Sequence, residues 1–250
     1  MFRIWQVLNI IFTIIVIIVN GLANALPLNG QTTGEVSDRF DVLFVPAGYV
    51  FSIWGLIYLG LIGFSIYQAL PAQRNNALIR NISPYYWLSC AANIAWIFLW
   101  HYELFIYTIA AMMVLLFGLL MIYNKMDKRN DQVKFTEQLM VNSPFSLYLG
   151  WVSVATIANA SQLLVYLGWG GWGISPTWWT VIMLMVTLLL GFLMLRRYED
   201  MIYALVLIWA LIGIAVKQNN NVFVSTAAWL ITGSLVILLL FHFWKGREKA

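Results

Sequence analysis

Indole rings and two amides recur at helical spacing in this chain, and those residue types suggest recognition rather than catalysis. In the stretch Leu-Tyr-Leu-Gly-Trp-Val-Ser-Val-Ala-Thr-Ile-Ala-Asn, Trp151, Ala155 and Asn159 stand at i, i+4 and i+8, on one helical stripe. Asn93, Trp96 and Trp100 repeat the pattern at i, i+3 and i+7, and Ser89 and Ala92 beside them would let another backbone approach closely. Trp54 and Tyr58 are spaced i, i+4, next to Gly55. Ring faces of this kind stack and bury a flat apolar molecule, and a carboxamide can orient it. The plainer reading of a tryptophan is an interfacial anchor or packing. That reading suits Trp5, Trp87, Trp169, Trp172, Trp178, Trp179 and Trp244, at expected span ends. It suits Asn93 and Asn159 poorly, because an amide in hydrocarbon must find a partner. Nothing resembles a catalytic set: there is no Ser/His/Asp arrangement and no carboxylate pair within a span. A lone Cys90 and two distant histidines, His101 and His242, supply no metal ligand set.

These residues need elements to carry them. Of 250 residues, 62% are hydrophobic and only 10% charged, with a mean hydropathy of +0.81. That is too little charge for a soluble surface, so the expected class is all-α, a polytopic transmembrane helical bundle. Eight spans of bilayer length are read, at about 4–25, 50–70, 85–101, 104–123, 141–166, 178–195, 201–216 and 222–244. The first begins like a signal peptide after Arg3, but its apolar run is long for one and it is kept as a span.

Charge tests the topology. With the N-terminus inside, Arg3, Arg74, Arg80, Lys125, Lys128, Arg129, Lys134, Arg196, Arg197, Lys245, Arg247 and Lys249 fall on the inner side, against Arg39 and Lys217 outside. Twelve against two is a strong positive-inside asymmetry, which places both termini in the cytoplasm. The net charge of +4 is therefore no nucleic-acid signal. No acidic residue lies deep in a span: Glu35, Asp38, Asp41 and Glu103 fall outside and the other six on inner loops or the tail. That argues against an ion-coupled carrier.

In this topology Trp54, Tyr58, Trp96 and Asn159 share the outer half of the membrane, with Asn93 and Trp151 nearer its middle. Asn20 and Asn24 end the first span at the same level, under a long polar loop at 26–44. The loop reads either as a lid, with Gln31, Thr32, Glu35 and Phe40 as its marked residues, or as a plain connector. The inner loop at 124–134 reads as a solvated linker.

At these residues the chain resembles the tryptophan-rich sensory protein family, which includes the translocator protein. Three motifs in order carry the likeness: Pro46-Ala47-Gly48-Tyr49-Val50-Phe51-Ser52-Ile53-Trp54 with Tyr58, Asn93-Ile94-Ala95-Trp96, and Tyr148-Leu149-Gly150-Trp151 followed by Ala155-Thr156 and Asn159. Leu147 stands where the family usually has proline, and the run from Phe51 to Trp54 is one residue short and lacks its proline. The resemblance implies a five-helix core at 1–169, here with a three-helix extension at 170–250. It also implies a pocket for tetrapyrroles such as protoporphyrin, and in some members for sterols. Trp54 and Asn93 match ligand-contacting positions, and Trp96, Trp151, Ala155 and Asn159 match positions around that pocket.

The leading expectation is a sensor or translocator for a flat hydrophobic ligand, with no covalent cofactor and a porphyrin as the ligand class. Its partners would be that molecule, membrane lipids and a second copy in a homodimer, and its place a bacterial plasma membrane. Two alternatives stand beside it. One is a structural or partner-regulating membrane protein whose amides serve only as interhelical bonds; the other is a light-dependent porphyrin-degrading enzyme.

Overall fold

In hydrocarbon the backbone must satisfy its own hydrogen bonds, and long apolar runs can do so only as helices or closed barrels. This chain takes the helical solution. The computed structural model describes residues 3–26, 28–126 and 134–247. Ten helices follow in order: α1 (Ile4–Ala25), α2 (Thr33–Asp38), α3 (Ile53–Ala69), α4 (Ala77–His101), α5 (Phe105–Lys125), α6 (Phe135–Glu137), α7 (Ser143–Tyr166), α8 (Pro176–Tyr198), α9 (Met201–Lys217) and α10 (Val222–Arg247). No strand occurs among the described residues. The side chains of Asn24 and Arg247, most of the 124–134 linker, and Lys128, Arg129 and Lys249 lie outside the description.

Among the described residues, six stretches are long and apolar enough to cross a membrane: Ile4–Ala23, Gly48–Ala69, Phe105–Lys125, Phe135–Tyr166, Pro176–Tyr198 and Val222–Lys245. The protein is thus an integral membrane protein with transmembrane helices. Of the two other long helices, α9 is apolar but has 17 residues, while α4 has 25 and carries Ser83, Pro84, Ser89 and Asn93.

The long helices alternate in direction. α1 packs on α3 and α4, α4 on α5, α5 on α7, and α7 on α3, so five helices close a ring. Outside it α9 packs on α7, and α8 and α10 pack on α9 and on each other. The start of α1 lies beside the end of α3, away from α2, which caps the other end of the ring.

A polar stripe on α1 closes the ring. Gln6 donates to the Gln68 carbonyl on α3 at 2.6 Å, and Asn9 donates to Ser83 Oγ on α4 at 3.0 Å. Trp87 donates its indole N–H to Asn9 Oδ1 at 2.7 Å, Thr13 bonds Tyr86 at 2.7 Å, and Asn20 donates to Asn93 Oδ1 at 2.6 Å. Small residues then set the close crossings. A Cβ on Gly60 would lie 3.0 Å from Pro144 Cβ, and one on Gly118 3.1 Å from the Tyr85 carbonyl beside Ser89. A Cβ on Gly150 would lie 3.0 Å from Val206 Cβ on α9.

Two boundaries and two tryptophans differ from expectation. α4 begins at Ala77, well before 85, because Asn76 accepts from the Ile79 amide at 3.2 Å and the helix runs on through Pro84. The helix expected from 141 begins at Phe135, with a π turn at Gln138–Asn142. That wider turn precedes Pro144, which has no N–H to give. Trp5 is buried, and Trp87 is partly buried with its N–H spent inside the bundle, so neither is an interfacial anchor. Trp178 and Trp244 are exposed.

The seam between ring and outer layer is tightest at Gly213, where any Cβ would overlap Val50 Cγ2 and meet Pro46 Cβ at 3.0 Å. Gly213→Val is expected to cost about 1–3 kcal/mol, the usual range for overpacking. Gly55, with open space around it, should accept alanine with little change. Thermal unfolding in detergent measures both.

Candidate functional site

At the α2 end the ring encloses a small cavity. Phe51 and Trp54 line it from the start of α3, Trp96 and Trp100 from α4, Met112 from α5, and Trp151, Ala155, Ala158, Asn159 and Gln162 from α7. Thr33 and Ser37 of α2 close it above. Five of the residues marked from sequence therefore meet here: Trp54, Trp96, Trp151, Ala155 and Asn159. Tyr58 and Asn93 do not line it. Tyr58 stacks on Trp54 at 5.7 Å, and Asn93, fully buried, is held by Asn20.

The rings fill most of the space. Trp151 meets Phe51 at 5.7 Å and Trp54 at 6.2 Å, both edge-on, and Trp96 stacks on Trp100 at 5.1 Å. What remains is about 40 Å³. A water needs roughly 10–15 Å³ on this measure, and pockets for drug-sized ligands start near 300 Å³. The cavity has room for a few waters and none for a tetrapyrrole.

Hydrogen bonding is almost complete. Asn159 accepts from Trp96 Nε1 at 2.9 Å and donates to Thr108 Oγ1 at 2.9 Å, bridging α4, α5 and α7. One buried donor is left over in the cavity wall, the Trp151 indole N–H. A buried donor without a partner costs about 1–3 kcal/mol. Below the cavity Phe64, Tyr86 and Phe145 pack edge to face at 5.1–5.8 Å and form a floor. No group of His, Cys, Asp or Glu among the described residues could hold a metal.

The helix over the cavity is a built element. Thr32 caps α2, its hydroxyl accepting from the Glu35 amide, while Glu35 accepts from the Thr32 N–H at 2.7 Å and the Thr32 hydroxyl at 2.9 Å. Three neighbours hold it down. Trp100 Nε1 donates to the Thr33 carbonyl at 3.1 Å, Gln162 donates to Ser37 Oγ at 3.0 Å, and Lys217 at the end of α9 pairs with Asp38 at 2.6 Å. Arg39 pairs with Glu103 at 2.8 Å. None of Gln31, Thr32, Glu35 and Phe40 lines the cavity. Gln31 reaches Glu103 at 3.4 Å, Thr32 and Glu35 cap each other, and Phe40 packs on Phe105 at 5.0 Å. The inward face of α2 is Thr33, Val36 and Ser37. Their i, i+3, i+4 spacing behind the Thr-x-x-Glu cap was the legible signal.

The Pro46–Val50 motif is held from outside the ring. Ala47 N–H donates to the Gly213 carbonyl at 3.1 Å, and Trp209 Nε1 donates to the Val50 carbonyl at 3.1 Å. Residues 6–241 match the family model described as TSPO-like protein. The chain belongs to the TSPO-like protein family. The match runs through α8 and α9 into α10, so it covers the outer layer of this TSPO-like protein as well as its ring. No curated protein and no solved structure matches the chain.

The Thr32 N–H, and then the Thr32 hydroxyl, hold the Glu35 carboxyl below the ordinary carboxylate range. A lowered folded-state pKa means that the ionised cap favours the lid at neutral pH and is lost as pH falls through that value. Amide exchange in α2 should therefore be slower than in Glu35→Gln at pH ~7, and the gap should close only well below ~4.3, the ordinary glutamate value. Equal protection in the two proteins at neutral pH would show that the cap does not hold the lid.

Proposed function

We propose that this TSPO-like protein is a membrane receptor that binds a flat hydrophobic molecule, of the tetrapyrrole class first, beneath α2. The observation that carries the reading is the Trp151 N–H, buried and unpartnered in the wall of a lidded, ring-lined cavity. A closed form of about 40 Å³ requires the lid to lift and the rings to part. Trp54 is the ring best suited to move, since it is only half buried. The bound molecule would stack on Trp54 and Trp151, with an acceptor on the Trp151 donor.

In this reading the chain crosses the membrane eight times with both termini cytoplasmic. Twelve basic residues on the inner side against two outside support that orientation. The alternating helices are compatible with it. The five-helix ring is the binding unit, and α8 to α10 brace it.

A second reading has its own support. Asn93 and Asn159 both bond neighbouring helices and little void remains between the rings, as expected of a structural membrane protein whose amides only fasten helices. Titration with protoporphyrin IX in lipid nanodiscs separates the two. The receptor reading expects saturable tryptophan quenching, lost in Ala155→Trp and at least about fivefold weaker in Trp151→Phe, the cost of about 1 kcal/mol for one hydrogen bond. Binding unaffected by either substitution would move the site elsewhere, and no binding at all would favour the structural reading.

A further inference from the structure

A larger cavity lies outside the ring. It has a volume of about 500 Å³ and opens between α7 and α8 at the lid end. Ala160 and Leu164 of α7 form one wall, Thr180 and Met183 of α8 the other, and Trp169 and Trp179 a roof. This is more than ten times the space under α2 and falls within the roughly 300–1,000 Å³ of small-molecule sites.

The polar side chains of its walls are engaged within the protein. Thr156, Ser161 and Thr180 each donate to a carbonyl one turn back in their own helix, at 2.7–2.8 Å. Trp179 Nε1 donates to the Gly171 carbonyl at 2.9 Å. The exception is Asp41, which lines the same cavity, is exposed, and has no hydrogen bond or ion pair among the described residues. No lysine or arginine lines the space. The nearest basic residues along the chain and across the lid are committed, Arg39 to Glu103 and Lys217 to Asp38.

The roof is held in a strained form. Trp169 and Trp179 meet at 5.3 Å, and Trp172 packs on both. The loop does this through left-handed backbone at Gly171, Trp172 and Gly173 (φ 65°, 52° and 79°). A tryptophan in that region is uncommon and costs free energy, and such strain gathers at ligand clamps. A Cβ on Gly171 would come 3.3 Å from Trp179 Nε1.

We infer that this cavity is a second ligand site, for an amphiphilic amine. The tail lies between α7 and α8, and the ammonium head sits at Asp41 and the indole faces of the roof. Indole faces attract cations, and an unpaired carboxylate strengthens that attraction. The same charge disfavours fatty acids and phosphate-bearing lipids, which would bring an anion to Asp41 with no basic residue to meet it.

Full-length protein in nanodiscs can be titrated with dodecyltrimethylammonium, dodecylphosphocholine or laurate, which share a tail, and read by native mass spectrometry. The expected result is one saturable ammonium adduct per chain, with the phosphocholine and laurate at least about fivefold weaker. Asp41→Asn should weaken the ammonium about fivefold, matching about 1 kcal/mol for an exposed charge pair. Ala160→Trp should abolish the adduct, and Met183→Trp, from the opposite wall, serves if the first variant does not fold. Retention of the adduct in a folded blocking variant would overturn the site. Laurate binding equal to the ammonium, or Asp41→Asn without effect, would overturn the amine assignment.

Discussion

An amide inside hydrocarbon has no water to turn to, so it bonds to protein or is left stranded at several kcal/mol. The ring rests on that constraint. Gln6, Asn9, Thr13 and Asn20 put polar groups along one side of α1, and each bond counted from them to α3 or α4 fixes the rotation of α1. Slipping α1 by one residue would break several of these bonds together. Apolar packing alone gives weaker orientation in a bilayer, because lipid tails are as apolar as leucine.

The second dependency runs from the outer layer to the lid. α9 receives Gly150 of α7 in its first two turns, holds the Pro46–Val50 segment through Gly213 and Trp209, and reaches α2 through Lys217. At its other end Asp200 accepts from Tyr123 of α5 at 2.7 Å and caps α9 through the Tyr203 amide at 3.1 Å. One helix thus touches both ends of the ring. Residues at the mouth of the cavity answer to packing that begins outside it.

Much of this could be read from the chain. The helices follow from apolar runs of bilayer length, and the stripes at Trp54, Trp96, Trp151, Ala155 and Asn159 do face one space. The α1 stripe went unread because a glutamine or asparagine every three to four residues in an apolar helix names no partner, and Gln68 and Ser83 are distant in sequence. From sequence the 26–44 stretch reads as a lid or a plain connector with scattered marked residues, whereas a six-residue helix turns Thr33 and Ser37 inward and spends Thr32 and Glu35 on its cap. Gln162, one turn beyond Asn159, belonged to the same stripe. The cavity between α7 and α8 could not be foreseen, since it depends on how two helices splay and on three backbone angles in a Trp-Gly-Gly-Trp-Gly loop.

The aromatic floor of Phe64, Tyr86 and Phe145 has a kinetic consequence. If a molecule enters past α2, as proposed, the floor would make that space a cul-de-sac along the bundle axis, and the molecule would have to retrace its path unless the helices part sideways. Arrival and departure then share one barrier. A change that slows lid opening would lengthen residence and delay capture in the same proportion, leaving the equilibrium untouched. Occupancy alone would not reveal such a change; only the time course would.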